Sequence, residues 1–218
     1  MLKSLILMVL TVITAGVLAG CPSLWNSKVG EEAPGAGELY EKAEARFKDK
    51  DYPGAIEAYQ RLRSAHPDFD KAPEVSMKIA DATYESGDLE KAASAYLQFV
   101  ELYPGHEEAA RAKYQVAMCY FRQIKNTDLD SRAVMTAAER FKALRDNPDA
   151  GEWATKAGEK FDECMKKLAE KELYKARTYI SMGKYKSARL AAKRVLEEYG
   201  KLGLDQEAED LIKRIKGK

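Results

Sequence analysis

A period of 37 residues constrains this chain more than any local motif. The segment "AEARFKDKDYPGAIEAYQRLRSAHP" (43–67) aligns with "ADATYESGDLEKAASAYLQFVELYP" (80–104), so that Ala43/Ala80, Phe47/Tyr84, Ala55/Ala92, Tyr59/Tyr96 and Pro67/Pro104 all share one offset. A third copy opens with Ala117 and Phe121, carries an insertion around "IKNTDLDSRAV", and resumes at Ala137, Phe141 and Pro148. A fourth keeps the internal spacing with Ala176, Gly183, Ala188, Ala192 and Tyr199. The physics is that of a helical hairpin. Small residues at 43/80/117/176 and 55/92/137/188 let two antiparallel helices approach, and aromatics four residues after the second set fill the wedge between hairpins. Asp51 and Asp88 are placed to cap the second helix, Pro53 is tolerated in its first turn, and Pro67 and Pro104 stop it. One hairpin cannot bury both apolar faces, so the units must stack into a solenoid with a concave and a convex side.

These repeat positions resemble tetratricopeptide repeats, here three residues longer than the common 34. No alternating β-branched run follows residue 21, so the expected fold is all-α, about four hairpins plus a C-terminal helix, over residues 38–218. From Glu152 to Met182 there is no Pro and no turn cluster. That segment reads as one long helix or two nearly coaxial ones.

The N-terminus has a different character. Lys3 precedes an almost unbroken apolar run from Leu5 to Leu18, which is signal-peptide anatomy. The run is shorter than the ~20 residues a helix needs to cross hydrocarbon. Leu18-Ala19-Gly20-Cys21 resembles the lipobox of bacterial lipoproteins, which implies cleavage before Cys21 and acylation of its thiol and new amine. Multiple acyl chains make such an anchor effectively permanent. Pro22, where inner-membrane lipoproteins carry Asp, implies the outer membrane. "PSLWNSKVGEEAPGAG" (22–37) is rich in Pro, Gly and Ser and reads as a flexible tether. The expected division is therefore a signal peptide at 1–20, a lipidated Cys and tether at 21–37, and the repeats beyond.

Overall charge is balanced at 36 basic against 35 acidic residues, so no global field points to nucleic acid. The halves differ, with 9 Lys/Arg against 18 Asp/Glu over 31–110 and 25 against 17 over 111–218. An acidic front joined to a basic rear is a docking cue, and solvated helix faces produce the same imbalance. Cys119 and Cys164 fall at helical positions and read as small buried apolar residues, with a single bridge as the alternative. His66 and His106 sit in turns, at no spacing that gathers a metal. No GxSxG elbow, phosphate loop, HExxH or CxxC is present. Neither catalysis nor a cofactor is expected.

A binding groove is the better expectation. In tetratricopeptide arrays the first helix of each hairpin lines the concave face. Its stripe here is Tyr40, Glu44 and Lys48, then Met77, Asp81 and Glu85, then Arg111, Tyr114, Met118 and Arg122. Aromatic, Met and charged groups together suit an extended peptide with apolar side chains; Tyr40, Tyr114 and Met118 fit packing between hairpins equally well. The clamp that binds chaperone tails wants Lys and Asn where this chain has Tyr40/Glu44 and Met77/Asp81.

Lipobox, tether and repeats, with "LYPGHEEAARAKYQVAMCYF", the inserted "TDLDSRAVMTAAERF" and "KKLAEKELYKARTYISMGKYKSARLAAKRVLEEY", together resemble the BamD family of the outer-membrane β-barrel assembly machinery. The more specific matches are Asp128-x-Asp130, followed by Phe141, and the Leu168–Leu173 stretch leading to Gly183. Gly200 departs from the Pro usual after the last Tyr. The resemblance implies a non-catalytic scaffold on the periplasmic face of the outer membrane. Its front repeats would receive unfolded β-barrel precursors, and its rear repeats would dock BamA, alongside other Bam subunits. Lys186, Arg189, Lys193 and Arg194 are the expected docking surface. The alternative is another lipid-anchored repeat scaffold, such as a secretin or pilus pilotin or a cell-envelope coordinator.

Overall fold

Nine α-helices follow one another among the described residues. They are α1 (Ala36–Lys48), α2 (Tyr52–Ala65), α3 (Ala72–Glu85), α4 (Leu89–Leu102), α5 (Ala109–Arg122), α6 (Arg132–Arg145), α7 (Glu152–Ser181), α8 (Tyr185–Glu198) and α9 (Asp205–Arg214). The structure is a computed structural model that describes residues 34–124 and 131–217. Cys21, the tether as far as residue 33, and the Asp128/Asp130 pair lie outside the described residues. The described residues contain no strand. Helix α1 starts at Ala36, so the last two residues assigned to the tether are helical.

Local chemistry sets the hairpin turns. Asp51 accepts the Gly54 N–H at 3.1 Å and Asp88 accepts the Lys91 N–H at 3.2 Å, each closing an otherwise orphaned donor at a helix start. The residue before the capping residue of the second helix of a hairpin turns through the left-handed region. It is Gly87 (φ 90) in the second hairpin and Gly183 (φ 70) in the fourth, but Lys50 (φ 62) in the first. Helices α2 and α4 end at Ala65 and Leu102, with Pro67 and Pro104 two residues on.

Each helix packs on its sequence neighbour, and α7 also reaches α5 and α9. The reason lies in the repeat itself. Ala43, Ala80, Ala117, Ala176, Ala55, Ala92, Ala137 and Ala188 are all 0% exposed, so backbones meet where no side chain holds them apart. Tyr59, Tyr96 and Phe141 fill the wedges and are equally buried. Full burial of side chains this size stabilises by about 2–3 kcal/mol each. The stacked hairpins expected from the sequence are therefore present.

Helix α7 runs unbroken for 30 residues, about 45 Å at 1.5 Å per residue. Its first half buries Ala157 and Cys164 beside Phe141 and Leu144, and its second buries Ala169, Leu173 and Ala176 against α8. Of the two readings left open for this segment, the single helix is the one observed. Helix α9 turns Ala208 and Leu211 inward and leaves Gln206, Glu209, Asp210, Lys213 and Arg214 outside. Its outer face is thus polar.

Candidate functional site

The stripe expected to line a groove divides into side chains that face solvent and side chains committed to the next hairpin. Lys48, Glu85 and Arg122 are exposed. Tyr40 and Met77 are not; at 8% and 3% exposure they belong to the core, which for Tyr40 is the packing alternative and for Met77 corrects the expectation of an open groove residue. The stripe's first residue in these two hairpins turns toward the adjoining helices. Tyr40 donates to Glu74 at 2.6 Å and packs edge-on against Tyr59, with Lys71 over its ring. Tyr114 packs against Phe141 and Trp153, ring centroids 5.5 and 5.2 Å away. Met118 packs against the clusters on both sides of α5.

The charged members of the stripe form a pattern that repeats. Glu44 accepts from the Tyr59 hydroxyl and from Lys78 at 3.0 Å. Thirty-seven residues on, Asp81 accepts from the Tyr96 hydroxyl at 2.6 Å and from both ends of the Arg111 guanidinium at 3.1 and 2.9 Å. Arg111 also reaches Glu108. Two successive junctions are thus tied by tyrosine, carboxylate and a cation from the following hairpin. Burial pushes the Glu44 carboxyl up, but the hydrogen bonds from Tyr59 and Lys78 outweigh it and hold the group below its ordinary range. Burial and the adjoining carboxylates push Tyr59 and Tyr96 well above the usual phenol range. In the third hairpin both partners change together, to Met118 and Phe141, and the junction becomes apolar.

Between these junctions lies a pocket of about 220 Å³, lined by Phe47, Asp81, Tyr84, Glu85, Arg111 and Gln115 among others. Its walls are aromatic and its rim is charged. A larger open groove of about 1180 Å³ runs between α2 and α4 over Ile56, Ile79, Thr83, Ala95 and Leu97.

The four rear cations also divide. Lys186 and Lys193 are exposed on α8. Arg189 instead donates to the Ile215 carbonyl at 3.2 Å, and Arg194 pairs at 3.1 Å with Glu172, a carboxylate on a residue only 7% exposed. Lys186 and Lys193 flank Leu190, which is 60% exposed. The free basic surface is therefore smaller than four residues, and it surrounds an apolar side chain.

Cys119 and Cys164 are free and buried, and burial pushes both thiols up to about 12. They are unbridged, as the favoured sequence reading has it.

Sequence reasoning missed the pairing of the stripe charges, although a signal was there. Positions 44/59 and 81/96 each join a carboxylate to a tyrosine fifteen residues on, and positions 118/141 lose both.

Stacked antiparallel hairpins with alanine seams and aromatic wedges define a tetratricopeptide-type repeat protein. Residues 33–214 match the YfiO family, described as an outer membrane lipoprotein, and the chain belongs to that family. Among its relatives is the outer membrane protein assembly factor BamD of Caulobacter vibrioides, 27% identical over 190 residues, covering 86% of this chain and 62% of that protein. The factor of the same name from Neisseria gonorrhoeae is 24% identical over 172 residues, covering 74% of this chain and 64% of its own length. The resemblance drawn from the sequence is borne out, with this chain spanning somewhat under two thirds of those relatives' length. A solved tetratricopeptide protein of Thermus thermophilus is 17% identical with a TM-score of 0.42, covering 82% of this chain and 99% of that one. At that score the likeness adds nothing to the helix pairing described above.

Proposed function

We propose that this chain is a lipid-anchored, non-catalytic subunit that assists insertion of β-barrel proteins into the outer membrane. The match to the YfiO family across the whole helical array carries the reading, together with relatives named as outer membrane protein assembly factors. Cys21 is the anchor, followed by the tether. The front repeats receive extended precursor segments along the concave face. The side chains free for that contact are Lys48, Glu85 and Arg122, beside the pocket walled by Phe47 and Tyr84. The rear repeats dock BamA, and the patch of Lys186, Leu190 and Lys193 on α8 supports that placement, because an exposed leucine between two exposed lysines suits an apolar socket with an acidic rim.

Affinity purification of the membrane-extracted, lipidated protein tests the reading. Lys186→Glu with Lys193→Glu is the informative variant, since Arg189 and Arg194 have structural partners whose loss would confuse the result. Recovery of BamA with the wild type, lost on reversing the two lysines, is the expected outcome. Recovery of secretin or pilus components, or of no barrel-assembly protein, would overturn it.

A further inference from the structure

Helix α9 depends on what it docks against. It has 10 residues, and Leu204 at its start supplies no side-chain cap, so it is too short to hold its fold alone in water. Ala208 and Leu211 join Ala191, Ala192 and Val195 of α8, and Ile215, just past the last turn, is 1% exposed. Two arginines hold its ends. Arg177 of α7 pairs with Glu207 in the first turn, and Arg189 of α8 donates to the Ile215 carbonyl at 3.2 Å. Each of these contacts is made to α7 or α8.

The connector between α8 and α9, residues 199–204, carries the strain. Lys201 stands at φ 74 and Gly203 at φ 80, both left-handed, and a lysine there is held against its own Cβ. The bond from the Lys201 N–H to Asp205, 3.1 Å, is exposed, so water replaces it readily. Helix α7 shows the relaxed alternative. It serves two adjoining clusters as one unbroken helix, with no residue of positive φ between Glu152 and Ser181.

We infer that α9 exchanges between two copies of this chain, each copy's α9 docking on α7 and α8 of the other while the connector straightens. The inference goes beyond the barrel-assembly reading and does not depend on it. Closed and exchanged forms make the same buried contacts, so the balance between them falls to the connector. A straightened connector releases Lys201, and short strained hinges favour exchange for that reason. The docking site also fixes how a second copy enters. Arg177 takes the acidic first turn and Arg189 the carbonyl end, so an incoming α9 fits in one direction only.

Charge complementation tests the exchange. Full-length chains with two different C-terminal affinity tags are co-expressed, extracted from membranes in detergent and purified through one tag, and recovery of the other is measured. Arg177→Glu alone sets two carboxylates against each other within a copy, and Glu207→Arg alone sets two guanidiniums. One copy of each, exchanged, restores an arginine–glutamate pair at both sites. That mixture is expected to give about threefold or more recovery of the second tag than either variant paired with itself. Gly203→Ala acts through backbone conformation, because a Cβ there meets nothing within 4 Å. It disfavours the left-handed connector and suits a helical one, so it should raise self-recovery about threefold or more over the wild type. Equal recovery from mixed and self pairings overturns the inference. So does a Gly203→Ala chain that melts at lower temperature without any gain in recovery.

Discussion

The Tyr96 hydroxyl donates to Asp81 at 2.6 Å across the second hairpin, reproducing at an offset of 37 residues the bond from Tyr59 to Glu44. Each bond satisfies a phenol at the centre of a wedge and aims a carboxylate at a cation of the following hairpin. Tyr96→Phe should therefore cost about 1 kcal/mol, and Phe141→Tyr should cost about 1–3 kcal/mol because Met118 offers its new hydroxyl no good acceptor. Urea denaturation of both variants checks the pair. An unchanged midpoint in both would dissociate the wedge from its polar tie.

Glu44 makes one junction pH-sensitive. Its carboxyl lies lower in the folded chain than its ordinary value, so the folded state binds fewer protons there than the unfolded state. The stabilisation is present above the ordinary carboxylate value and is lost as pH falls through the folded one. Wild type should exceed Glu44→Gln in melting temperature at neutral pH, and the gap should narrow on acidification below the ordinary carboxylate range. A gap that widened with acid would contradict the assignment.

Arg194 and Lys193 are adjacent in sequence yet should behave oppositely on charge reversal. Arg194→Glu places a second carboxylate against the buried Glu172, which loses one of its two cation contacts and keeps Lys175. A cost of about 1–3 kcal/mol follows. Lys193→Glu alters only an exposed position and should stay within about 0.5 kcal/mol of wild type. Thermal melts of the two variants distinguish a structural arginine from a surface lysine.

Lys50 holds a left-handed conformation at the point where the second and fourth hairpins place Gly87 and Gly183. Lys50→Gly removes the Cβ clash at some entropic cost and should stabilise by about 0.5–1 kcal/mol. Gly87→Ala should destabilise by about 1 kcal/mol. Chemical denaturation of both variants gives the comparison.

The scaffold was legible in the sequence because its determinants are local or periodic. Alanine seams, aromatic wedges, and Asp51 and Asp88 as caps follow from residue type at fixed spacing, whereas the lack of Pro over α7 left one helix and two coaxial ones equally open. The site was legible only as a stripe. Whether Tyr40 turns to solvent or to Glu74 depends on the next hairpin, and Arg111 meets Asp81 across thirty residues that no helical period links. The same blindness hid Glu172, a buried carboxylate on a helix that is otherwise rich in exposed charge, and made Arg189 and Arg194 look as free as Lys186 and Lys193.

The central proposal is that this chain assists β-barrel proteins in reaching their folded state in the outer membrane. Its most direct test is the amount of folded β-barrel protein, read from heat-dependent gel mobility of outer-membrane fractions, in cells depleted of the protein. The account predicts a fall in folded barrels, restored by the wild type and not by Cys21→Ser. Folded barrels at undiminished levels in depleted cells would contradict it.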